Sequence, residues 1–407
     1  MRALRLAATA VLVAAVLPVG PPASARPPRC LGEAATIVGT TGADHLVGTA
    51  SHDVIVGLGG GDVISGRGGN DLLCGNVGAD TISGGPGNDR LHGGADRMGD
   101  DVGGSYLQGD FLRGGDGADI LDGGWDDRKV DARRVPDTYA WSDATRGVVV
   151  DLSGAGGVAT GFGRDRIRIE PRMGVTGSSY ADTIVGSDNA ERISGLDGND
   201  SLDGRAGNDE IYGETKDGRG RDTIVGGDGS DLIGSYAGPD DIRGGRGNDF
   251  IEAYGDEPAT ARGDLGADQV LQSISRRSGM SSTGGAGRDV VTLYGDLLEG
   301  NSPRTQFKVD LRTGTTSANL ARPPRGTIGS YEEYRLVGVL RWAFYGTPSP
   351  DRVWTITGGE LRAWTYGGND WVSASVRNDT VNAGVGTDTV RGGDGDDVCV
   401  RAERGTC

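Results

Sequence analysis

From Gly39 to His92 an aspartate returns every ninth residue, at Asp44, Asp53, Asp62, Asp71, Asp80 and Asp89, without a slip. Two places after each stands an aliphatic residue: Leu46, Ile55, Ile64, Leu73, Ile82 and Leu91. Two places before five of the aspartates stands a glycine (Gly42, Gly60, Gly69, Gly78, Gly87), with Ser51 as the exception. A period this short argues against ordinary globular domains. It demands a stack of small units, none of which buries its one apolar residue alone. The register also gives the composition its meaning. Glycine makes up 76 of 407 residues, well over twice the usual share of about 7%. Without a register that excess would read as disorder, and no strict Gly-X-Y period makes it collagen.

The pattern returns after interruptions. Asp182, Glu191, Asp200 and Asp209 precede Ile184, Ile193, Leu202 and Ile211; Asp222, Asp231, Asp240 and Asp249 precede Ile224, Ile233, Ile242 and Ile251. Near the end, Asp370, Asp379, Asp388 and Asp397 precede Val372, Val381, Val390 and Cys399, and single copies surround Asp119, Asp268 and Asp289. Glu191 breaks the aspartate rule and is left open as a ligand. Asp110 follows Gln108 where glycine is expected and is not counted as one. The nonamers Gly84-Gly85-Pro86-Gly87-Asn88-Asp89-Arg90-Leu91-His92 and Gly244-Gly245-Arg246-Gly247-Asn248-Asp249-Phe250-Ile251-Glu252 fit G-G-x-G-x-D-x-U-x at every position, U being aliphatic. That unit resembles the RTX, or haemolysin-type, calcium-binding nonapeptide, and the resemblance covers roughly half the chain. It implies an all-β fold, a stacked parallel β-roll (β-solenoid), that holds several Ca2+ ions. Its metal ligands are expected at Asp44, Asp53, Asp62, Asp71, Asp80, Asp89, Asp119, Asp182, Asp200, Asp209, Asp222, Asp231, Asp240, Asp249, Asp268, Asp289, Asp370, Asp379, Asp388 and Asp397.

Physical chemistry leads to the same place. A nonamer is a tight turn followed by a very short strand. Glycine tolerates positive φ there and lets the backbone approach an ion. Strand residues alternate faces, so the aliphatic is the inward residue of each repeat. Two nonamers make one coil, and coils stack about 4.8 Å apart by backbone pairing. Aspartates two nonamers apart then align on one edge, where two like charges repel by roughly 3 kcal/mol at an effective dielectric near 20. Calcium takes six to eight hard oxygen ligands, and carboxylates and carbonyls both converge in such turns. The metal-free chain is therefore expected to be largely disordered.

Six segments are expected: a signal peptide over 1–25, an N-terminal repeat block over 26–124, a β-rich connector over 125–176, a central repeat block over 177–292, an aromatic-rich β connector over 293–364, and C-terminal repeats with a disulfide cap over 365–407. Arg2 and Arg5, the apolar run Leu6 to Val19 and Ala23-Ser24-Ala25 make up the secretory signal. That run is too short for a membrane span, and a secreted chain is expected. The connectors carry the strand-like runs Val148–Leu152 and Phe307–Leu311. Four cysteines in an exported chain suggest two disulfides, and the local pairs Cys30–Cys74 and Cys399–Cys407 are favoured as clasps over the two ends. A formal charge of −17 from 58 acids and 41 bases opposes nucleic-acid binding.

Catalytic signatures are missing: no H-E-x-x-H, no G-x-S-x-G and no phosphate-loop lysine. His45, His52 and His92 fall at variable repeat positions and read as filler. Trp342, Trp354, Trp364 and Trp371 gather with Tyr331, Tyr334, Phe344, Tyr345 and Tyr366. Exposed, they would stack sugars; packed, they would plug a thin roll, and the plug is preferred. The expected role is a non-enzymatic calcium-binding protein, structural or adhesive, with an extracellular glycan or cell-surface partner. The alternative is a calcium-dependent scaffold of a secreted enzyme or haemolysin-like toxin. In that group the repeats follow a separate domain, whereas here they start at Gly39, soon after the expected cleavage site.

Overall fold

The computed structural model describes residues 26–95, 109–124, 136–214, 218–254, 259–273, 281–295, 306–318, 325–338, 341–357 and 359–407. The expected signal segment, 1–25, lies outside them. Among the described residues the fold is all-β, with no helix, and forms a parallel solenoid of about 16 turns. Each nonamer gives a turn and then a strand as short as three residues. Val63–Ser65 and Thr81–Ser83 each bury only their central isoleucine. Successive strands alternate between two sheets, so a strand pairs with the one two nonamers on: Ile64 lies beside Ile82, and Leu73 beside Leu91. The aliphatics accordingly stack in one continuous core, with Ile55, Leu73, Ile82, Ile193, Ile224 and Ile251 wholly buried.

Coils of unequal length keep the register. Leu112 pairs with Ile82 and Leu121 with Leu91 across the insertion that follows Ala95. Both connectors solve a harder problem in one way. Val149–Asp151, Gly157–Thr160 and Arg164–Ile167 form an antiparallel meander. Its last strand pairs in parallel with the preceding coil (Arg166 with Ile120), and its first with the following coil (Val149 with Thr183). Gln306–Asp310, Thr315–Ala318 and Arg325–Gly329 repeat the device. The two sheets therefore run through both connectors without a break.

Large aromatics fill the core where the repeat pattern lapses. Tyr139 and Trp141 are buried beside the first meander, and Phe307, Tyr334, Trp342 and Phe344 beside the second. Trp342 thus packs inside as the plug reading expects, its ring 5.8 Å from that of Phe307. Trp354 and Trp364 face outward instead, because alternate residues of one strand point to opposite faces, and Tyr366 is exposed in the turn that follows. Both expected disulfides form. Cys30–Cys74 ties the N-terminal hairpin to the second coil of its sheet, and Cys399–Cys407 folds the tail onto the last coil. No helix among the described residues is long and apolar enough to cross a membrane.

Candidate metal centres

The repeated acids are joined rung to rung by their own backbone. The N–H of Asp53 donates to Asp71 Oδ1 at 2.8 Å, and the N–H of Asp71 donates to Asp89 Oδ1 at 2.8 Å. Followed along the roll, these bonds define six ladders. The first block holds Asp44–Asp62–Asp80–Asp110–Asp137 and Asp53–Asp71–Asp89–Asp119–Asp165. The central block holds Asp182–Asp200–Asp222–Asp240 and Glu191–Asp209–Asp231–Asp249–Asp268–Asp289–Glu332. The last holds Asp351–Asp370–Asp388–Glu403 and Asp379–Asp397.

All twenty aspartates singled out from the sequence lie in these ladders, and nearly all are buried. Asp110, set aside because of its neighbour Gln108, nevertheless occupies a rung. It is 1% exposed and accepts from the Asp80 N–H at 2.8 Å, like any other rung. Sequence reading missed Asp137, Asp165, Glu332, Asp351 and Glu403. Long insertions separate Asp137 and Asp165 from their partners in the chain, and no nonamer precedes either. Asp351 alone carried a signal, the run Gly346-Thr347-Pro348-Ser349-Pro350-Asp351, but its prolines disguise the repeat.

The second carboxylate oxygen is what distinguishes these turns. In Asp62, Asp71, Asp89, Asp119, Asp200, Asp209, Asp231, Asp249 and Asp268, Oδ2 is buried without a hydrogen-bond donor. A buried acceptor left so costs about 1–3 kcal/mol, more when charged. Beside each oxygen sits a glycine whose absent side chain leaves a cradle. A Cβ on Gly204 would lie 2.5 Å from both Asp209 Oδ2 and the Gly226 carbonyl oxygen of the next coil. On Gly226 it would lie 2.5 Å from Asp231 Oδ2 and from the Gly244 oxygen. A carboxylate and a carbonyl of the neighbouring coil therefore border one space, the oxygen-only donor set of a hard cation. No group of three or more His, Cys, Asp or Glu side chains suited to a metal occurs among the described residues, so backbone oxygens must complete any coordination. The last block fits less well, since Thr365, Ala374 and Ala383 stand where other turns have this glycine.

Burial sets the electrostatics. It pushes Asp89 and Asp268 up to about 6, Asp200 and Asp249 to about 7, and Asp119 and Asp209 to about 8. Hydrogen bonds from the preceding rung oppose this rise, and neighbouring acids add to it. The charged form is thus disfavoured in the metal-free fold. That penalty is full above the raised values and disappears once pH falls below the ordinary carboxylate range near 4. A cation must displace those protons. Calcium binding should therefore release protons and weaken as pH falls from about 8 to about 6. Calorimetric titrations in buffers of different ionisation enthalpy measure the release; an affinity flat across that window would contradict it.

Fold and ladders together define a parallel β-roll with oxygen-lined turns suited to a hard cation. Residues 38–73, 75–97, 108–129, 185–215, 216–241, 235–257 and 364–399 match the RTX calcium-binding nonapeptide repeat (4 copies). The chain carries the repeats of that RTX family across its length, and those repeats have a calcium-binding, structural role. No curated protein matches it. When bound, the ion supplies positive charge between rungs. The chain itself supplies the orphaned oxygens, the glycine cradles and the N–H bonds that orient each carboxylate.

Proposed function

We propose that this is a secreted, non-enzymatic protein whose calcium ions rigidify an extracellular β-roll, with a structural or adhesive role. The observation that carries the reading is the run of buried, donor-less carboxylate oxygens along ladders in all three blocks. A chain that needs only turns has no reason to bury so many charges. Two disulfides favour an oxidising compartment.

Adhesion is supported by the outward aromatics. Tyr345 stacks on Trp364 at 4.8 Å with planes 9° apart, and Lys308 and Arg312 each lie 4.7 Å from the Tyr345 ring. On the other sheet Trp354 lies 4.0 Å from Trp371. Both cations share the carboxylate of Asp310, at 2.8 Å from Lys308 and 2.7 Å from Arg312, which leaves one net positive charge beside half-exposed rings. Such a surface suits the CH faces and charge of an anionic glycan. The test is a calorimetric calcium titration of the mature protein with parallel circular dichroism, followed by a glycan array of wild type and Trp364→Ala. Calcium uptake with array binding that Trp364→Ala abolishes is the expected result. No calcium uptake would refute the reading, and hydrolysis of a substrate panel would favour an enzyme scaffold.

A further inference from the structure

The ladders do not begin as they continue. Their first acids are Asp44, Asp53, Asp182, Glu191, Asp351 and Asp379, and four residues before each stands a serine or threonine. In every one of these turns that residue closes on the acid. Thr49 donates its N–H to Asp53 Oδ2 at 2.6 Å and its hydroxyl to the same oxygen at 2.9 Å. Thr40 does the same for Asp44, at 2.5 and 2.9 Å. Ser178 caps Asp182 with its N–H at 2.6 Å and its hydroxyl at 2.8 Å. Ser187, Thr347 and Ser375 likewise cap Glu191, Asp351 and Asp379. The hydroxyl oxygen then accepts the N–H two residues on, as from Ser51 to Thr49 at 3.1 Å.

Interior turns differ at that same position. At Asp62, Asp71, Asp200 and Asp209 the residue four before the acid sits in the left-handed region, at φ 81° for Leu58, 74° for Arg67, 78° for Leu196 and 70° for Arg205. Oδ2 of Asp62, Asp71, Asp200 and Asp209 receives no donor there. A hydrogen-bond donor and a cation want the same lone pairs, so an oxygen facing an N–H and an O–H presents positive dipoles to an incoming ion. Two ladders are also closed at their far ends: the Trp141 indole N–H donates to Asp165 Oδ2 at 2.9 Å, and the Ser235 hydroxyl to Asp240 Oδ2.

We propose that the Ser/Thr-capped first acid of each ladder is an end stop that contributes no metal ligand, so that calcium enters only between interior rungs. An end turn has a ladder partner on one side only, and a bridging ion needs two. The cap replaces the ion with protein donors where a ladder must start against a connector or the chain's first coil.

This rests on the calcium-binding reading, and the experiment separates the two. Bound calcium is counted by equilibrium dialysis and elemental analysis on folded wild type and on Asp53→Asn, Asp182→Asn, Asp71→Asn and Asp200→Asn. The first two should retain the wild-type count, while each of the last two should lose at least one ion. Loss of an ion from Asp53→Asn or Asp182→Asn overturns the proposal even though calcium is bound. A wild type that binds none overturns the earlier reading instead. Thr49→Val and Ser178→Ala remove only the hydroxyl and cover the case of an Asn variant that does not fold. Their ion count should be unchanged while their melting temperature in saturating calcium drops, and any change in count refutes the end-stop role.

Discussion

Removing calcium should convert the roll into a largely unfolded chain, and returning it should restore the strands. Each nonamer buries one aliphatic such as Ile224 or Ile242, worth about 1.5–3 kcal/mol. Ordering its nine backbone units costs about 1–2 kcal/mol each. Along each edge buried carboxylates then follow one another, joined Asp71 to Asp89 and Asp209 to Asp231. Without a cation an interior rung must either bury an unsatisfied anion beside another acid or take up a proton. Burial above all, with the neighbouring acids adding to it, raises Asp119 and Asp209 to about 8. Binding to the folded state alone adds about 2.7 kcal/mol per site at a hundredfold excess over Kd. Many sites on one stack make the transition steep. Far-ultraviolet circular dichroism in chelator and in millimolar calcium measures it; equal strand content in both would refute the account.

Gly247→Ala should be among the most damaging single-methyl changes. Gly247 has φ 134°, and a Cβ there would collide with the Gly229 carbonyl oxygen and lie 2.5 Å from its carbon. Neither atom is the end of a flexible side chain; both belong to the backbone of the adjacent coil. The left-handed conformation costs about 1–3 kcal/mol for a residue with a side chain, and forced overpacking about 1–3 more. A loss of roughly 2–6 kcal/mol is expected, read as a higher calcium midpoint and a lower melting temperature. Gly156→Ala is the matched control, because Gly156 has open space around its Cβ position. Equal stability of the two variants would show that the coils do not stack as described.

The parts of this architecture that could be read in advance are those that repeat within the chain. Asp62 and Ile64, then Asp80 and Ile82, declare a turn, an inward residue and a coil of two nonamers. The local disulfides followed from their places at the two ends of that stack. Asp137, Asp165 and Glu332 could not be found so, because only backbone pairing brings them into line behind insertions of unequal length. Thr49 and Ser178 look like ordinary turn residues until their hydroxyls are seen on Asp53 and Asp182.

By itself, then, the amino-acid order determined a parallel roll with acidic edges, since a nine-residue period in charge, glycine and aliphatic admits few packings. Tertiary structure alone decided where each ladder starts and stops, how the meanders reverse Val149–Ile167 inside a parallel sheet, and that Trp342 turns inward while Trp364 faces out. The division has one physical reason. Periodicity is a local property, whereas register, burial and the sharing of a carboxylate between coils depend on which distant backbone lies alongside.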